Sequence, residues 1–247
     1  MHEAISFLHT SDLHGRLNEH SAKSLAELRK EADFYFDCGD CVKSGNIGIP
    51  RQPEKVWELL RFANCTAGVP GNREFHISMK GFRAKLKGCS HPMLAANLRW
   101  NGKPRSPLMI IRNNEETKSP LPSYIVFDRI GVFGVMVPMV TERMQARRIS
   151  AFLFDSPIEA AEKCVQELRG RVELLICLSH IGLDEDIRLV QEVKGIDIIF
   201  GGHSHHTLEK PEKVGKTWIC HSGAFARFAG KYIWEKSKLQ GELIPLE

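Results

Sequence analysis

The stretch ELLICLSHIGLDEDIRLVQEVKGIDIIFGGHSH, residues 173–205, decides the fold class of this chain. Its apolar runs at 173–180 and 196–202 have the length and composition of buried strands. Between them, residues 184–193 carry apolar side chains at helical spacing, so the stretch predicts a strand, a helix and a second strand. Such alternation is typical of an α/β architecture. Histidines stand at the ends of both strands, at position 180 and at positions 203 and 205.

The same alternation appears in the N-terminal half, with consecutive strands in the middle of the chain. Helices are predicted at 22–32, 53–63 and 157–168, and strands at 4–10, 33–39, 93–98, 107–112, 123–128 and 131–137. Residues 218–222 and 231–237 are expected to close the chain as an antiparallel pair. This order predicts a mixed-sheet α/β protein with helices outside. The turn-rich segment 101–123 is interpreted as a hairpin, so we expect one domain over residues 1–247.

Length and composition exclude several classes of protein. The chain has 247 residues, of which 43% are hydrophobic and 26% charged, as in soluble globular domains. Its longest apolar run, residues 130–140, is shorter than the roughly 20 residues that a membrane-spanning helix needs, and we expect no membrane association. A net charge of +4, spread along the chain, does not predict a dedicated nucleic-acid surface. Seven cysteines without a secretory leader predict reduced thiols in the cytoplasm.

Chemically useful side chains follow five of the predicted strands. In open α/β sheets, ligand sites lie beyond the carboxyl ends of strands, so these side chains are expected to converge. They comprise two carboxylates, four imidazoles and one amide, a donor set that suits divalent Mn, Fe, Zn or Co. Seven ligands are too many for one tetrahedral ion but suit two ions sharing a carboxylate, roughly 3.5–4 Å apart. The seven are Asp12, His14, Asp40, Asn72, His180, His203 and His205.

Each of these residues also has a simpler interpretation when it is taken alone. Asp12 could cap a helix, Asp40 after a glycine is a common turn, and Asn72 after a glycine is usually turn chemistry. His180 by itself is more often a buried, hydrogen-bonded histidine than a ligand. It is the ordered set, with every member at a strand terminus, that favours a metal site.

This ordered set resembles the calcineurin-like metallophosphoesterase family, and within it the catalytic domain of 5′-nucleotidases. The motifs that carry the resemblance are SDLHG (11–15), CGDC (38–41), PGNRE (70–74), LSHIG (178–182) and GGHSH (201–205). The closing segment ICHSGAFARFAGKYIW (219–234) is similar to the loop and hairpin that end that domain. The resemblance implies a four-layer sandwich, in which two mixed β-sheets face each other with helices outside.

The resemblance also implies roles for the ligand set. Asp12, His14 and His205 would bind one metal, Asp40 would bridge both, and Asn72, His180 and His203 would bind the second. In the family, a hydroxide held between the two ions attacks phosphorus in line with the leaving group. The expected function is therefore hydrolysis of phosphate esters, as in phosphomonoesterases and 5′-nucleotidases. The expected substrate is a small phosphorylated molecule, with nucleotides among the candidates.

The third motif departs from the family pattern. Arg73 stands where the family has a histidine that assists the leaving group, and His76 stands where 5′-nucleotidases have an aspartate that orients it. Three interpretations stay open. His76 could supply the acid while Arg73 grips the phosphate, which a helix beginning at Arg73 would favour by placing both on one face. Alternatively the enzyme is impaired but still binds metal, or Arg73 only forms a salt bridge and His76 is a surface residue of a helix.

Further residues and alternatives complete the prediction. Asn72, Arg73, Lys43 and Arg227 are predicted to contact the phosphate of the substrate. Cys38 and Cys41 form a C-x-x-C around Asp40, for which we favour packing roles over redox chemistry. The C-terminal domain that recognises the base in 5′-nucleotidases is not expected within residues 1–247. Phosphodiester hydrolysis and a catalytically weak metal-binding module remain the alternatives, and the sequence leaves the oligomeric state open.

Overall fold

The computed structural model of the chain describes residues 4–102 and 120–246. The strands in chain order are β1 (Ile5–Thr10), β2 (Phe34–Asp37), β3 (Ala67–Gly68), β4 (Leu98–Trp100), β5 (Tyr124–Phe127), β6 (Ile130–Met136), β7 (Phe152–Phe154), β8 (Leu174–His180), β9 (Ile198–Gly201), β10 (Glu212–Val214), β11 (Thr217–His221), β12 (Phe228–Glu235) and β13 (Lys238–Pro245). The helices are α1 (Glu19–Arg29), α2 (Lys55–Phe62), α3 (Met79–Lys85), α4 (Pro157–Leu168) and α5 (Leu183–Glu192), and a short 3-10 helix spans Gln145–Arg148.

Two mixed sheets form the frame of the molecule. The first sheet has the order β13-β12-β1-β2-β3, and the second has the order β10-β11-β9-β8-β6-β5. Strands β1, β2 and β3 are parallel, as are β6, β8, β9 and β11, while the remaining partners within these two sheets are antiparallel. A smaller antiparallel pair joins β4 to β7. The predicted architecture of two mixed sheets with helices outside is confirmed.

Both faces of the second sheet are buried, which explains its long apolar runs. Along β8, Leu174, Ile176 and Leu178 pack into the core between the two sheets, whereas Leu175 and Cys177 pack against the side that α4 and α5 cover. Helices α1 and α2 contribute to the core of the first sheet. The result is the four-layer arrangement of helices, sheet, sheet and helices.

Several predicted element bounds need correction. Helix α1 begins at Glu19 rather than at 22, because the side chain of Asn18 caps it by accepting hydrogen bonds from the backbone N–H groups of His20 and Ser21. Of the predicted strand at 93–98, only Leu98 lies in a strand, as the first residue of β4, and Met93 makes an isolated bridge with Gly68. The predicted strand at 107–112 lies outside the described residues. Helix α4 has the predicted bounds.

The predicted pairing of 218–222 with 231–237 is wrong. Strand β11 lies in the second sheet, between β9 and β10, whereas β12 lies in the first sheet, between β1 and β13. The sequence prediction missed β13, which follows β12 through a turn at Lys236 and Ser237 whose φ angles are 51° and 61°. In this hairpin β13 pairs with the backbone of β12 along one edge, and β1 pairs with it along the other edge.

The carboxyl ends of the parallel strands of both sheets meet at one side of the sandwich. The loops that follow β1, β2 and β3 therefore face those that follow β8 and β9, as ligand sites in α/β sheets require. Within residues 4–102 and 120–246, no helix combines the length and the apolar character needed to cross a bilayer.

Candidate metal centre

The structure brings the seven candidate ligands together at the side of the sandwich where the carboxyl ends of the parallel strands meet. The candidate metal centre is defined here as Asp12, His14, Asp40, Asn72, His180, His203 and His205. The first four follow strands of the first sheet, and the three others end or follow strands of the second sheet. Two overlapping sets of donor atoms, each within 4.8 Å of one another, lie in this group: Asp12, His14 and His205 form one, and Asp12, Asp40 and His180 form the other.

The first set converges on Oδ1 of Asp12. This oxygen lies 3.7 Å from Nε2 of His14 and 3.4 Å from Nε2 of His205, and those two ring nitrogens are 3.0 Å apart. Ring nitrogens this close must share either a proton or a cation. Asp12 Oδ1 is buried and has no hydrogen-bond partner among the described residues. A buried carboxylate oxygen without a partner is costly, so this donor set fits a divalent cation.

The second set of donor atoms shares Asp12 with the first and adds Asp40 and His180. Oδ1 of Asp40 is 3.5 Å from Nε2 of His180, and its Oδ2 is 3.9 Å from Nε2 of His14. The carboxylate of Asp40 thus faces both sets. Oδ1 of Asn72 lies 3.0 Å from Nδ1 of His203 and 3.4 Å from Nε2 of His180, so the amide oxygen points into the second set.

A backbone carbonyl determines which nitrogen of His180 is free. Nδ1 of this buried ring lies 2.5 Å from the carbonyl oxygen of Cys38, and because a carbonyl only accepts, Nδ1 must carry the proton. Nε2, which faces Asp40, is then the nitrogen that can bind a metal ion. Metal-binding histidines are commonly oriented in this way, by donating their other N–H to a carbonyl.

The charges of the centre perturb one another. Burial alone would raise the pKa of Asp12, but the imidazoles of His14 and His205 hold the pKa of this carboxyl below its usual range. Burial alone would lower the pKa of His180, yet the carboxylates of Asp40 and Asp12 raise it. The protein therefore favours carboxylates with a positive charge among them, which is the charge pattern that a bound cation would satisfy.

The backbone bends sharply at five of the candidate ligands. Asp12, His14 and Asp40 have φ angles of 53°, 49° and 54°, in the left-handed region that non-glycine residues seldom adopt. His203 and His205 share this conformation, with φ angles of 77° and 57°. Such outliers cluster at functional sites, where the surrounding structure holds them in place.

Glu74 organises the loops around Asp40, and sequence reasoning gave it no role. Its buried carboxylate accepts hydrogen bonds from the backbone N–H groups of Asp40, Val42 and Gly71 at 2.8, 3.0 and 2.8 Å. Gly71 approaches Asp40 so closely that a Cβ there would clash with Asp40 Oδ1. The sequence signal that could have identified Glu74 is its place as the acidic residue that ends the motif PGNRE, directly after Arg73.

Arg73 lies beside the candidate metal centre, whereas His76 contacts Ser78 and Gly81. The backbone N–H of Arg73 donates to Asp40 Oδ1 at 2.7 Å, and its Nε lies 3.8 Å from Asp40 Oδ2. The expected helix at Arg73 is absent: residues 72–74 form a turn, and α3 begins only at Met79. The ring of His76 packs against Gly81, and its Nδ1 accepts a hydrogen bond from the N–H of Ser78.

A cavity of about 330 Å³ opens beside the centre. We name it the cation cavity; it is lined by His14, Gly15, Arg16, Lys43, Arg73 and Phe225. Sequence reasoning missed Arg16 and Phe225, whose ring lies 5.2 Å from that of His14 and 5.3 Å from that of His205, measured between centroids. Of the predicted phosphate contacts, Lys43 and Arg73 line the cavity. Arg227 is exposed and directs its Nε to the carbonyl of Ala224.

The two cysteines of the C-x-x-C motif point to different acceptors. Both are buried and unpaired; Sγ of Cys38 donates to the carbonyl of Phe200, and Sγ of Cys41 donates to Oδ1 of Asp37. Burial raises the pKa of both thiols well above the usual range. The two cysteines therefore have packing roles, which the sequence analysis favoured over redox chemistry.

Comparison with known proteins identifies the family that the sequence matches. The sequence model of the calcineurin-like phosphoesterases matches residues 5–207. The chain is 23% identical to the trifunctional nucleotide phosphoesterase protein YfkN of Bacillus subtilis, over 92% of this chain and 18% of that protein. It is 27% identical to an apyrase of Aedes albopictus, over 84% of this chain and 40% of that protein. The chain thus spans less than half the length of either relative.

The fold is similar to that of solved structures. A 5′-nucleotidase precursor from Thermus thermophilus superposes with a TM-score of 0.76 at 19% identity, covering 98% of this chain and 54% of that one. At this identity the likeness concerns the fold.

Proposed function

The chain belongs to the calcineurin-like phosphoesterase family, and from this membership we propose that it hydrolyses phosphate esters with two divalent metal ions. The observation that carries the proposal is the convergence of Asp12, Asp40 and His180 in one set of donors and Asp12, His14 and His205 in another. We assign the first ion to Asp12, His14 and His205, and the second to Asn72, His180 and His203, with Asp40 between them. The candidate metals are Mn, Fe, Zn and Co, since nitrogen and oxygen donors suit all of them.

When bound, such ions would activate a water and offset the charge that builds on the phosphoryl oxygens. The residues of the chain would position the metal-binding side chains and the phosphate of the substrate. Glu74 and Gly71 hold Asp40 against the imidazoles, and the carbonyl of Cys38 accepts from Nδ1 of His180, which orients Nε2 toward the candidate metal centre. Arg73, beside Asp40, is placed to hold a phosphate oxygen through its guanidinium group.

The proposed substrate is a small phosphorylated molecule of the kind that nucleotide-processing relatives act on. The names of relatives, among them a nucleotide phosphoesterase and an apyrase, support a nucleotide. We propose that residues 1–247 form one catalytic domain. All seven thiols are free, which supports a reducing compartment such as the cytoplasm.

The first experiment measures p-nitrophenol release from p-nitrophenyl phosphate and from bis-p-nitrophenyl phosphate by protein reconstituted with Mn²⁺. Turnover that a chelator abolishes is expected, and the ratio of the two rates separates monoester from diester hydrolysis. A protein that holds two metal ions per chain and turns over neither substrate would instead be a metal-binding module.

The variant Asp40→Asn tests the shared carboxylate. We expect it to lose metal from both sites and to lose hydrolysis, because one side chain is proposed to serve both ions. Metal content is measured by elemental analysis after gel filtration. Asp33→Asn, which changes an exposed carboxylate elsewhere, is the matched control. Wild-type metal content and rate in Asp40→Asn would contradict the dinuclear assignment.

A further inference from the structure

The cation cavity is larger than the phosphate that the metal centre would hold. Its volume of about 330 Å³ lies at the lower end of the range of small-molecule pockets, roughly 300–1,000 Å³. His14 lines the cavity and also belongs to the candidate metal centre. A phosphate ester bound at the metals would therefore extend the rest of its molecule into this cavity.

The lining of the cavity is strongly positive. Arg16, Lys43 and Arg73 contribute three cations, and none of the described lining residues is acidic. Within residues 4–102 and 120–246, neither Arg16 nor Lys43 forms an ion pair, whereas Arg73 has Asp40 at 3.8 Å. Cations that face a cavity without carboxylate partners are available to an anion.

The metal centre does not need the charges of Arg16 and Lys43. Two divalent ions held by the carboxylates of Asp12 and Asp40 leave a net charge that one phosphate dianion balances. Arg73, beside Asp40, is the cation proposed to hold the ester phosphate. The charges of Arg16 and Lys43 are in excess of that requirement.

Hydrogen bonds hold the Arg73 side chain and the backbone segment that carries Lys43. Nη1 of Arg73 donates to the carbonyl of Lys43 at 3.2 Å, which ties the two residues together across the cavity wall. The backbone N–H of Lys43 donates to the carboxylate of Glu54 at 3.0 Å, which anchors the segment that carries it. Phe225 closes another side with an exposed ring, so an apolar part of a substrate has a surface to pack on.

We propose that the cation cavity binds a second anionic group of the substrate. This inference rests on the proposed function and specifies its substrate class: small molecules that carry a phosphate ester and, on the same molecule, a further phosphate or carboxylate. Arg16 and Lys43 select these molecules by charge-assisted hydrogen bonds to the second group. Arg73 stands between the two anionic groups.

Matched pairs of substrates test the proposal. Adenosine 3′,5′-bisphosphate is compared with adenosine 5′-monophosphate, and 3-phosphoglycerate with glycerol 3-phosphate, by phosphate release from the Mn²⁺-loaded protein. We expect kcat/KM to be at least about tenfold higher for the doubly anionic member of a pair. A preference in the first pair identifies a second phosphate, and one in the second pair identifies a carboxylate.

Variants show whether the cavity is the cause. Arg16→Gln and Lys43→Met are each expected to reduce the preference about tenfold. Arg129→Gln, in the turn between β5 and β6 and away from the carboxyl ends of the parallel strands, is the control and keeps the preference. Equal kcat/KM within both pairs, or a preference that survives both cavity variants, overturns the inference while hydrolysis itself upholds the proposed function.

Equilibrium binding decides the remaining case. If no ester is hydrolysed, the proposed function fails, and calorimetric titration of the same pairs into Mn²⁺-loaded protein replaces the kinetic readout. Binding of the doubly anionic member at least about tenfold tighter than its partner, lost in Arg16→Gln, supports the cavity assignment. Equal dissociation constants overturn it.

Discussion

The left-handed backbone at Asp12, His14 and Asp40 shows what the local chain contributes to the centre. Each such residue costs of order 1 kcal/mol relative to ordinary backbone, and it persists because neighbouring contacts hold it. At Asp40 these contacts are visible: its N–H donates to Glu74, and its Oδ1 accepts from the N–H of Arg73. The candidate ligands were predictable from the motifs. The conformation was not, because aspartate and histidine do not mark a left-handed position as glycine does.

His76 is the predicted catalytic residue whose placement favours another role. Its Nδ1 accepts from the backbone N–H of Ser78, the residue that caps α3, and its ring packs on Gly81. We expect His76→Ala to lower the free energy of unfolding by about 1 kcal/mol, as loss of a capping contact does. The rate on p-nitrophenyl phosphate should change less than the 10²–10⁴-fold that loss of a general acid causes.

Urea unfolding and steady-state kinetics measure these two effects of His76→Ala. The control is His20→Ala, which removes an exposed imidazole from α1. A fall in kcat of about 10²-fold or more at unchanged metal content would return His76 to the role of general acid.

Asp37 makes the stability of the protein depend on pH. Burial raises the pKa of this carboxyl to about 7, although the Cys41 thiol, the Thr10 hydroxyl and the Gly39 N–H donate to it and oppose the rise. A carboxyl whose pKa is higher in the folded than in the unfolded chain stabilises the fold below the unfolded pKa. This contribution is lost as the pH rises through the folded pKa.

We therefore expect the wild type to lose stability relative to Asp37→Asn as the pH rises from 5 to 8. The loss should approach ~3 kcal/mol, since one pH unit corresponds to about 1.36 kcal/mol for one proton. Urea unfolding of both metal-free proteins at several pH values gives the difference directly. A difference that is constant across this range, or that grows in favour of the wild type, would mean that Asp37 is ionised in the fold.

At the scale of elements, helix α3 holds two loops of the site through one buried lysine. Lys85, at the C-terminal end of α3, is fully buried, and its Nζ donates to the carbonyls of Gly45 and Arg73. Burial lowers the pKa of Lys85 while the nearby carboxylates of Glu74 and Glu54 oppose this. One cation thus connects the segment after Lys43 with the turn that carries Arg73.

Lys85→Met should separate this positioning role from overall stability. Methionine keeps the apolar volume but removes both hydrogen bonds, so the two loops lose their common anchor. We expect kcat/KM to fall about tenfold and the free energy of unfolding to fall by only about 1–2 kcal/mol. The exposed Lys80 of the same helix provides the control, as Lys80→Met. Unchanged kcat/KM in Lys85→Met would show that the loops keep their geometry without it.

The elements also show where sequence reasoning succeeds. Buried strand β8 and amphipathic α4 were predicted within a residue of their observed bounds, because both carry strong periodic patterns and α4 has a Ser-Pro start at residues 156–157. Helix α3 was missed, since MKGFRAK has a glycine and little apolar periodicity. The partners of β11 and β12 were wrong because a strand pattern carries no information about which sheet receives it.

At the scale of the whole molecule, the candidate metal centre joins the two sheets. The first sheet contributes Asp12, His14, Asp40 and Asn72, and the second contributes His180, His203 and His205. The set could be predicted from the sequence because every member follows a strand. The cation cavity was predicted only in part: Lys43 and Arg73 were among the expected phosphate contacts. No sequence pattern marked Arg16 and Phe225, which reach the cavity from the loops after β1 and β11.

Metal binding should therefore stabilise the molecule as a whole rather than one loop. A ligand that binds only the folded chain adds about 2.7 kcal/mol of stability at one hundred times its dissociation constant, which for a chain of this size raises Tm by about 5–10 °C. We expect chelator to lower Tm by this amount and Mn²⁺ to restore it in a concentration-dependent way, as followed by calorimetry. Asp40→Asn should shrink the Mn²⁺ effect, because the carboxylate between the two ion sites is gone. If Mn²⁺ binds with two ions per chain and Tm stays constant, the ions are not held between the sheets, and the assignment of ligands from both sheets to one centre fails.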